Sequence, residues 1–105
     1  MIKKAVKMQL LKGCEKEYQK RHDEIWPEMV EMLKIHGVIS YSIFLDSSTC
    51  ALYAYLEIED EERWLKTSKT VVNKKWWDFM SDIMDTNYDN SPSSVELLKI
   101  FELEH

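Results

Sequence analysis

The chain has 105 residues, of which 45% are hydrophobic and 31% are charged, and its formal net charge is -5. Its aromatic content and its scarcity of glycine and proline exclude a disordered chain, and its apolar runs are too short for the roughly 20 residues of a membrane span. The acidic balance, without a concentrated basic patch, argues against nucleic acid as a partner. We therefore expect one domain over residues 1–103, with residues 104–105 as the remnant of an expression tag.

The first half of the chain predicts a strand, an interrupted helix and a hairpin. Apolar and polar residues alternate over residues 5–10, which predicts a strand with one buried face. Apolar residues then recur at steps of three and four over about 15–35, which predicts an amphipathic helix. Pro27 predicts a kink or restart in this helix, because proline lacks an N–H group and crowds the preceding turn. Alternating segments at 39–45 and 52–58 flank turn-forming residues and predict a β-hairpin.

The second half of the chain predicts a broken helix and a fourth strand. The acidic residues 59–62 favour a helix N-terminus and are interpreted as solvated surface. Helical spacing follows over 64–84, with a break near 67–70, and alternation returns over 95–101. The resulting order, β-α-β-β-α-β, predicts an α+β, ferredoxin-like (split β-α-β) sandwich, in which two helical regions cover one face of an antiparallel sheet.

The predicted sheet carries apolar or aromatic residues on both faces. Examples are Tyr41, Tyr53, Tyr55, Leu98 and Ile100. Helices cover only one face, and so large an apolar patch rarely stays open to water on a monomer. We therefore predict a homodimer joined sheet to sheet, with a pocket between each sheet and its helices.

His22 is the residue on which a hypothesis of acid–base chemistry depends. It follows Tyr18 by four residues, so the two side chains lie on the same side of the predicted helix. A histidine beside a pocket can give or take a proton at neutral pH, because its unperturbed pKa is about 6.5. A histidine that only packs in the core is the alternative, and the spacing leaves both interpretations open.

The density of amphipathic rings is consistent with a sugar site. Tyr18, Trp26, Tyr41, Trp76 and Trp77 could pack against C–H groups and bond hydroxyls, although an ordinary core is the alternative. Neighbouring helix positions diverge by about 100°, so the two adjacent tryptophans should not both face one point. The sequence has no glycine-rich phosphate loop and no His-Glu-x-x-His motif, which disfavours phosphoryl transfer and metal-dependent hydrolysis.

Cys14 and Cys50 are the only cysteines of the chain. Their spacing matches neither a zinc site nor a Cys-x-x-Cys redox pair, so we interpret them as reduced structural thiols and predict no metal. The N-terminal residues lack the apolar region and small-residue cleavage site of a signal peptide, and we expect a cytoplasmic protein.

Several short motifs, in a fixed order, resemble one known family. They are Tyr18, Arg21-His22, Ile25-Trp26-Pro27, Glu62-Arg63-Trp64, Trp76-Trp77 and Asp89-Asn90-Ser91-Pro92. In this order they resemble the L-rhamnose mutarotases, and the likeness extends from Met1 to about Phe101. The resemblance implies a dimeric α/β-barrel of ferredoxin-like subunits that interconverts the α and β anomers of L-rhamnose without a cofactor. It also implies that His22 is the proton donor and that Tyr18, Tyr41, Trp76 and Trp77 bind the sugar.

Two other functions remain open at this point. Dimeric α/β-barrel monooxygenases, haem-dependent or cofactor-poor, use the same fold with histidine and tryptophan in the pocket, and a fold alone does not separate the activities. The other alternative is a non-catalytic dimer that senses a small ligand. A haem absorption band, or oxygen uptake with an aromatic substrate, would indicate the monooxygenase. Ligand binding without faster anomer exchange would indicate the sensing dimer.

Overall fold

The computed structural model describes residues 1–104, and these form one four-stranded sheet with helices on one side. The elements are β1 (Ile2–Gln9), α1 (Glu15–Asp23), α2 (Pro27–Ile35), β2 (Val38–Asp46), β3 (Ala51–Ile58), α3 (Glu61–Thr67), α4 (Val71–Met80) and β4 (Ser94–Leu97). The strand order is β2-β3-β1-β4, and every neighbouring pair is antiparallel. The predicted ferredoxin-like α+β class is confirmed. None of the helices in this described part is long and apolar enough to cross a membrane.

The predicted interruption at Pro27 is confirmed as a full restart of the helix. Pro27 is the first residue of α2, where its missing N–H group would have no helical partner in any case. Trp26 precedes it in an extended conformation, with φ of -61° and ψ of 133°, as the residue before a proline prefers. The restart ends α1 at Asp23, so His22 lies in the last turn of that helix.

The predicted break in the second helical region is also confirmed, because each of its two helices has its own N-cap. The Asp60 carboxylate accepts a hydrogen bond from the Glu62 backbone N–H at the start of α3. The Thr70 hydroxyl accepts one from the Asn73 backbone N–H at the start of α4. Side chains that satisfy these otherwise unpaired donors favour a helix start at each point.

Two predicted C-terminal boundaries are wrong. Helix α4 ends at Met80 and not at residue 84, because Met84 is buried in the core and forms an isolated β-bridge with Leu10. Strand β4 covers Ser94–Leu97 and not residues 95–101. Strand β4 is an edge strand, and its one neighbour among the described residues is β1.

The two faces of the sheet differ in their environment. Alternate residues of β3 face the helices and are at most 1% exposed: Leu52, Ala54, Leu56 and Ile58. The opposite face is open and carries Phe44, Tyr53, Tyr55, Val95 and Leu97. Tyr41 is opposite Leu56 in the register and therefore lies on the helix side of the sheet. Leu98 and Ile100, expected on a face of the sheet, lie beyond the end of β4.

The two cysteines are free thiols that pack, partly buried, against the core. The Cys50 thiol donates a hydrogen bond to the Glu15 carboxylate, with Sγ and Oε1 3.3 Å apart. The interpretation as reduced structural thiols is confirmed for this structure.

Candidate active site

A large open cleft lies between the sheet and the helices, with a volume of about 1280 Å³. Its walls contain residues of all four strands, all four helices and the loop before β4. All five residues predicted as site residues line it: Tyr18, His22, Tyr41, Trp76 and Trp77. The fold therefore brings together side chains that are as much as 59 positions apart in the chain, from Tyr18 to Trp77.

His22 is held by two contacts with Tyr18, one helical turn earlier. The imidazole and phenol rings are stacked, with centroids 4.4 Å apart and an angle of 29° between the planes. Nδ1 of His22 lies 3.1 Å from the Tyr18 carbonyl oxygen. A carbonyl only accepts, so Nδ1 carries the proton and Nε2 of the neutral ring carries the free lone pair. No residue in the described range 1–104 forms a hydrogen bond with Nε2.

Burial lowers the pKa of His22 below its usual value of 6.5, because desolvation disfavours the imidazolium. The hydrogen bond to the Tyr18 carbonyl and the charge of Asp23 act in the opposite direction, but they are smaller effects. At pH 7 the ring is therefore neutral, and Nε2 is available as a base.

The two tyrosines of the cleft keep their protons at neutral pH. Tyr18 is 8% exposed, and burial raises its pKa far above 10, with a smaller effect from Tyr41. Tyr41 is 40% exposed because the cleft beside it is open, yet desolvation also raises its pKa. Its ring centroid is 6.5 Å from that of Trp64. Both phenols can therefore donate a hydrogen bond to a ligand oxygen.

The adjacent tryptophans of α4 have different surroundings, as their positions on a helix predict. Trp76 is 7% exposed and packs edge-on against His22, with centroids 5.4 Å apart, and against Trp26, with centroids 5.1 Å apart. Trp77 is only partly buried and forms part of the cleft wall. Trp76 thus supports the His22 ring, whereas Trp77 is the more exposed of the two at the cleft wall.

A charged cluster forms another part of the cleft wall. Lys4 Nζ lies 2.8 Å from Glu61 Oε1 and 3.4 Å from Glu96 Oε1, and the Lys4 side chain is 14% exposed. The hydrogen bond to Glu61 is the main cause that raises the pKa of Lys4. Glu61 is therefore not simply solvated helix surface, as the sequence had suggested, but a residue of the cleft.

Comparison with known protein families identifies the family of this chain. A family model described as L-rhamnose mutarotase matches residues 3–103. The chain belongs to the L-rhamnose mutarotase family. An L-rhamnose mutarotase of Lachnoclostridium phytofermentans is 58% identical over 99% of this chain and 100% of its own length. One from Enterococcus faecalis is 55% identical over 98% of this chain and 100% of its own length.

Solved structures agree with this membership in the L-rhamnose mutarotase family. The crystal structure of an L-rhamnose mutarotase from Formosa agariphila superposes with a TM-score of 0.91 at 42% identity, and covers 99% of this chain and 100% of that one. An antibiotic biosynthesis monooxygenase superposes with a TM-score of 0.63 at 12% identity, and covers 95% of this chain and 99% of that one. The second likeness shows the shared fold alone.

Sequence reasoning missed several polar residues of the mutarotase-family cleft. Lys4 and Glu61 are among them, as is Asn73, which is 6% exposed. Sequence signals could have found Lys4 and Asn73, but not Glu61. Lys4 alternates with Val6 and so shares the buried face of β1, and Asn73 precedes Trp77 by four residues and so shares a side of α4.

Proposed function

We propose that this member of the L-rhamnose mutarotase family interconverts the α and β anomers of L-rhamnose, with His22 as the residue that moves the proton. The observation that carries the assignment of His22 is its fixed tautomer. Nδ1 is bonded to the Tyr18 carbonyl, and Nε2 is free at the wall of the cleft. A site with one oriented, neutral imidazole and two neutral phenols suits acid–base chemistry on a sugar.

Anomer exchange needs one proton to move between two oxygens of the same carbon centre. Opening breaks the bond between C1 and the ring oxygen, removes the proton of the anomeric hydroxyl and places a proton on the ring oxygen. His22 Nε2 accepts the hydroxyl proton, and the resulting imidazolium donates it to the ring oxygen. The freed aldehyde rotates about its bond to C2, and the reverse transfers close the ring on the other face. No proton is consumed, and His22 ends each cycle neutral.

The neighbours of His22 fit this cycle. The Tyr18 carbonyl holds Nδ1–H in both protonation states and so keeps the ring in one orientation. The phenols of Tyr18 and Tyr41 donate hydrogen bonds to sugar oxygens. Trp77 packs against the C–H face and the methyl group of the sugar, since an aromatic face suits apolar sugar surfaces, and Trp76 supports the His22 ring.

A homodimer is part of the proposal and is supported by the open sheet face. Phe44 is 63% exposed there, and Tyr53 and Tyr55 are each 36% exposed. Sedimentation at micromolar concentration should give twice the chain mass of 12.6 kDa. Phe44→Glu and Tyr53→Glu should each shift the chain toward the monomer, because a charge would be buried in the contact. A wild-type chain that sediments as a monomer would contradict sheet-to-sheet association.

One experiment tests the proposed reaction. Saturation transfer between the two anomeric protons of L-rhamnose, followed by NMR, should show exchange that is faster with the protein than without it. A chain that binds the sugar but leaves the exchange rate unchanged would be a ligand sensor and not an enzyme. Oxygen uptake with an aromatic substrate would instead indicate a monooxygenase.

A further inference from the structure

Asn73 is a buried residue whose side-chain amide has no hydrogen-bond partner among the described residues. The residue is 6% exposed, and its backbone N–H donates to the Thr70 hydroxyl at 3.3 Å. Its side-chain amide forms no hydrogen bond with any residue of the range 1–104, although an amide can donate two bonds and accept two. A buried amide left in this state costs free energy unless water or a ligand satisfies it.

The unpartnered amide opens into the cleft. No side-chain nitrogen or oxygen in the described chain lacks both a partner and surface contact. Because the Asn73 amide has no partner, its polar atoms must reach the surface. Asn73 is one of the residues that line the cleft, and we infer that its amide reaches the surface there. Water therefore solvates the amide when the cleft is empty, and a ligand must replace that water on binding.

Asn73 shares its side of α4 with the two tryptophans. It precedes Trp76 by three residues and Trp77 by four, so the amide lies one helical turn, about 5.4 Å along the axis, from those side chains. A cleft lined mainly by apolar side chains orients its ligand through a few polar groups. The amide is such a group, beside the surface on which we place the sugar.

We propose that Asn73 binds a secondary hydroxyl of L-rhamnose, at C2, C3 or C4, and so determines which sugars are accepted. The amide oxygen accepts from that hydroxyl, or the amide nitrogen donates to it, so a sugar without the hydroxyl leaves the amide unpaired. The inference rests on the proposed function, because it takes L-rhamnose as the ligand. Asn73 is a specificity-determining residue here and does not take part in the proton transfer.

The test is a thermodynamic cycle between one side chain and one hydroxyl. Calorimetry gives the Kd of the wild type and of Asn73→Leu for L-rhamnose and for its 2-, 3- and 4-deoxy derivatives. Asn73→Leu should weaken binding of L-rhamnose by about tenfold, as expected for one lost hydrogen bond at a buried site. For one deoxy derivative the two proteins should bind alike, because the partner hydroxyl is already absent.

Two further variants separate ligand contact from structure. Lys74→Leu makes the same kind of change on the exposed side of α4 and should leave every Kd unchanged. The same cycle is measured with Asn73→Ala, which adds no bulk. The deoxy derivative that binds equally to wild type and variant should be the same one as for Asn73→Leu. A melting curve of each variant shows whether the fold is kept.

The role of Asn73 and the proposed function can fail separately in this experiment. Equal losses of affinity for all four sugars, or no loss for any, would overturn the role of Asn73 in a chain that binds L-rhamnose. A wild-type chain that does not bind L-rhamnose would overturn the proposed function and this inference with it. A single derivative that both proteins bind equally supports the inference and identifies the hydroxyl.

Discussion

The imidazole of His22 both stacks on the phenol ring of Tyr18, at 4.4 Å between centroids, and donates through Nδ1 to the carbonyl oxygen of the same residue at 3.1 Å. The two contacts arise from one spacing, because residues four apart on a helix are neighbours. Together they fix the plane of the ring, its tautomer and the position of Nε2. The catalytic geometry we propose is therefore built into the local structure of α1.

Replacing His22 by alanine should abolish most of the anomer exchange while sugar binding persists. A proton-transfer group acts mainly in the transition state, so the expected loss in kcat is about 10²–10⁴-fold. Saturation transfer at saturating L-rhamnose measures it, beside a melting curve.

His36→Ala is the matched control for this variant. The His36 ring also bonds the carbonyl four residues earlier, with Nδ1 2.8 Å from the Met32 oxygen, but His36 does not line the cleft. Its exchange rate should equal that of the wild type. Near-normal exchange in a folded His22→Ala protein would assign the proton transfer to Tyr18 or Tyr41 instead.

The exchange rate should rise with pH through the pKa of His22 and then stay level at neutral pH. Burial lowers that pKa below 6.5, and the neutral ring is the form that starts the cycle, so acid removes the active form. The plateau should extend to alkaline pH, because burial raises the pKa of both Tyr18 and Tyr41. The pH profile of kcat measures this. A rate that falls as pH rises through the pKa of His22 would mean that the imidazolium starts the reaction.

Alanine in place of each adjacent tryptophan should have different effects. Trp76→Ala should lower the free energy of unfolding by about 3–5 kcal/mol, because it removes a buried ring from the aromatic cluster, and it should also weaken sugar binding. Trp77→Ala should destabilise less and weaken L-rhamnose binding by roughly 1 kcal/mol. Urea denaturation and calorimetry measure the two effects. Normal sugar affinity in Trp77→Ala would leave Trp76 as the aromatic contact.

Removing the phenol hydroxyl of Tyr41 should weaken sugar binding without destabilising the fold. Tyr41→Phe loses a donor that lines the cleft, so the Kd for L-rhamnose should rise several-fold, as for one net hydrogen bond. Tyr53→Phe makes the same change on the open sheet face and should bind the sugar as the wild type does. If Tyr41→Phe also binds L-rhamnose as tightly as the wild type, Tyr41 donates no hydrogen bond to the sugar.

Local patterns predicted much of the fold and the placement of Tyr18 and His22 on one side of α1. Alternation along the strands, Pro27 at the start of α2 and the four-residue spacing from Tyr18 to His22 each act within a few residues. The end of β4 was not predictable, because it depends on the extent of pairing with β1. Glu61 was misinterpreted for the same kind of reason. Its partner Lys4 lies 57 positions away, and no local pattern reveals that contact.

Strand β4 has a consequence for the order in which the molecule opens. It has four residues, all with exposed side chains, and it pairs along one edge only. Its partner residues 5–8 lie some 90 positions earlier, so the closure entropy of that long loop opposes its pairing. In native-state hydrogen exchange we expect β4 amides to exchange through local opening, while those between β1 and β3 wait for global unfolding. The part of the cleft wall formed by Ser94 and Glu96 would then fluctuate on its own, while the part formed by Tyr18 and His22 stays in place.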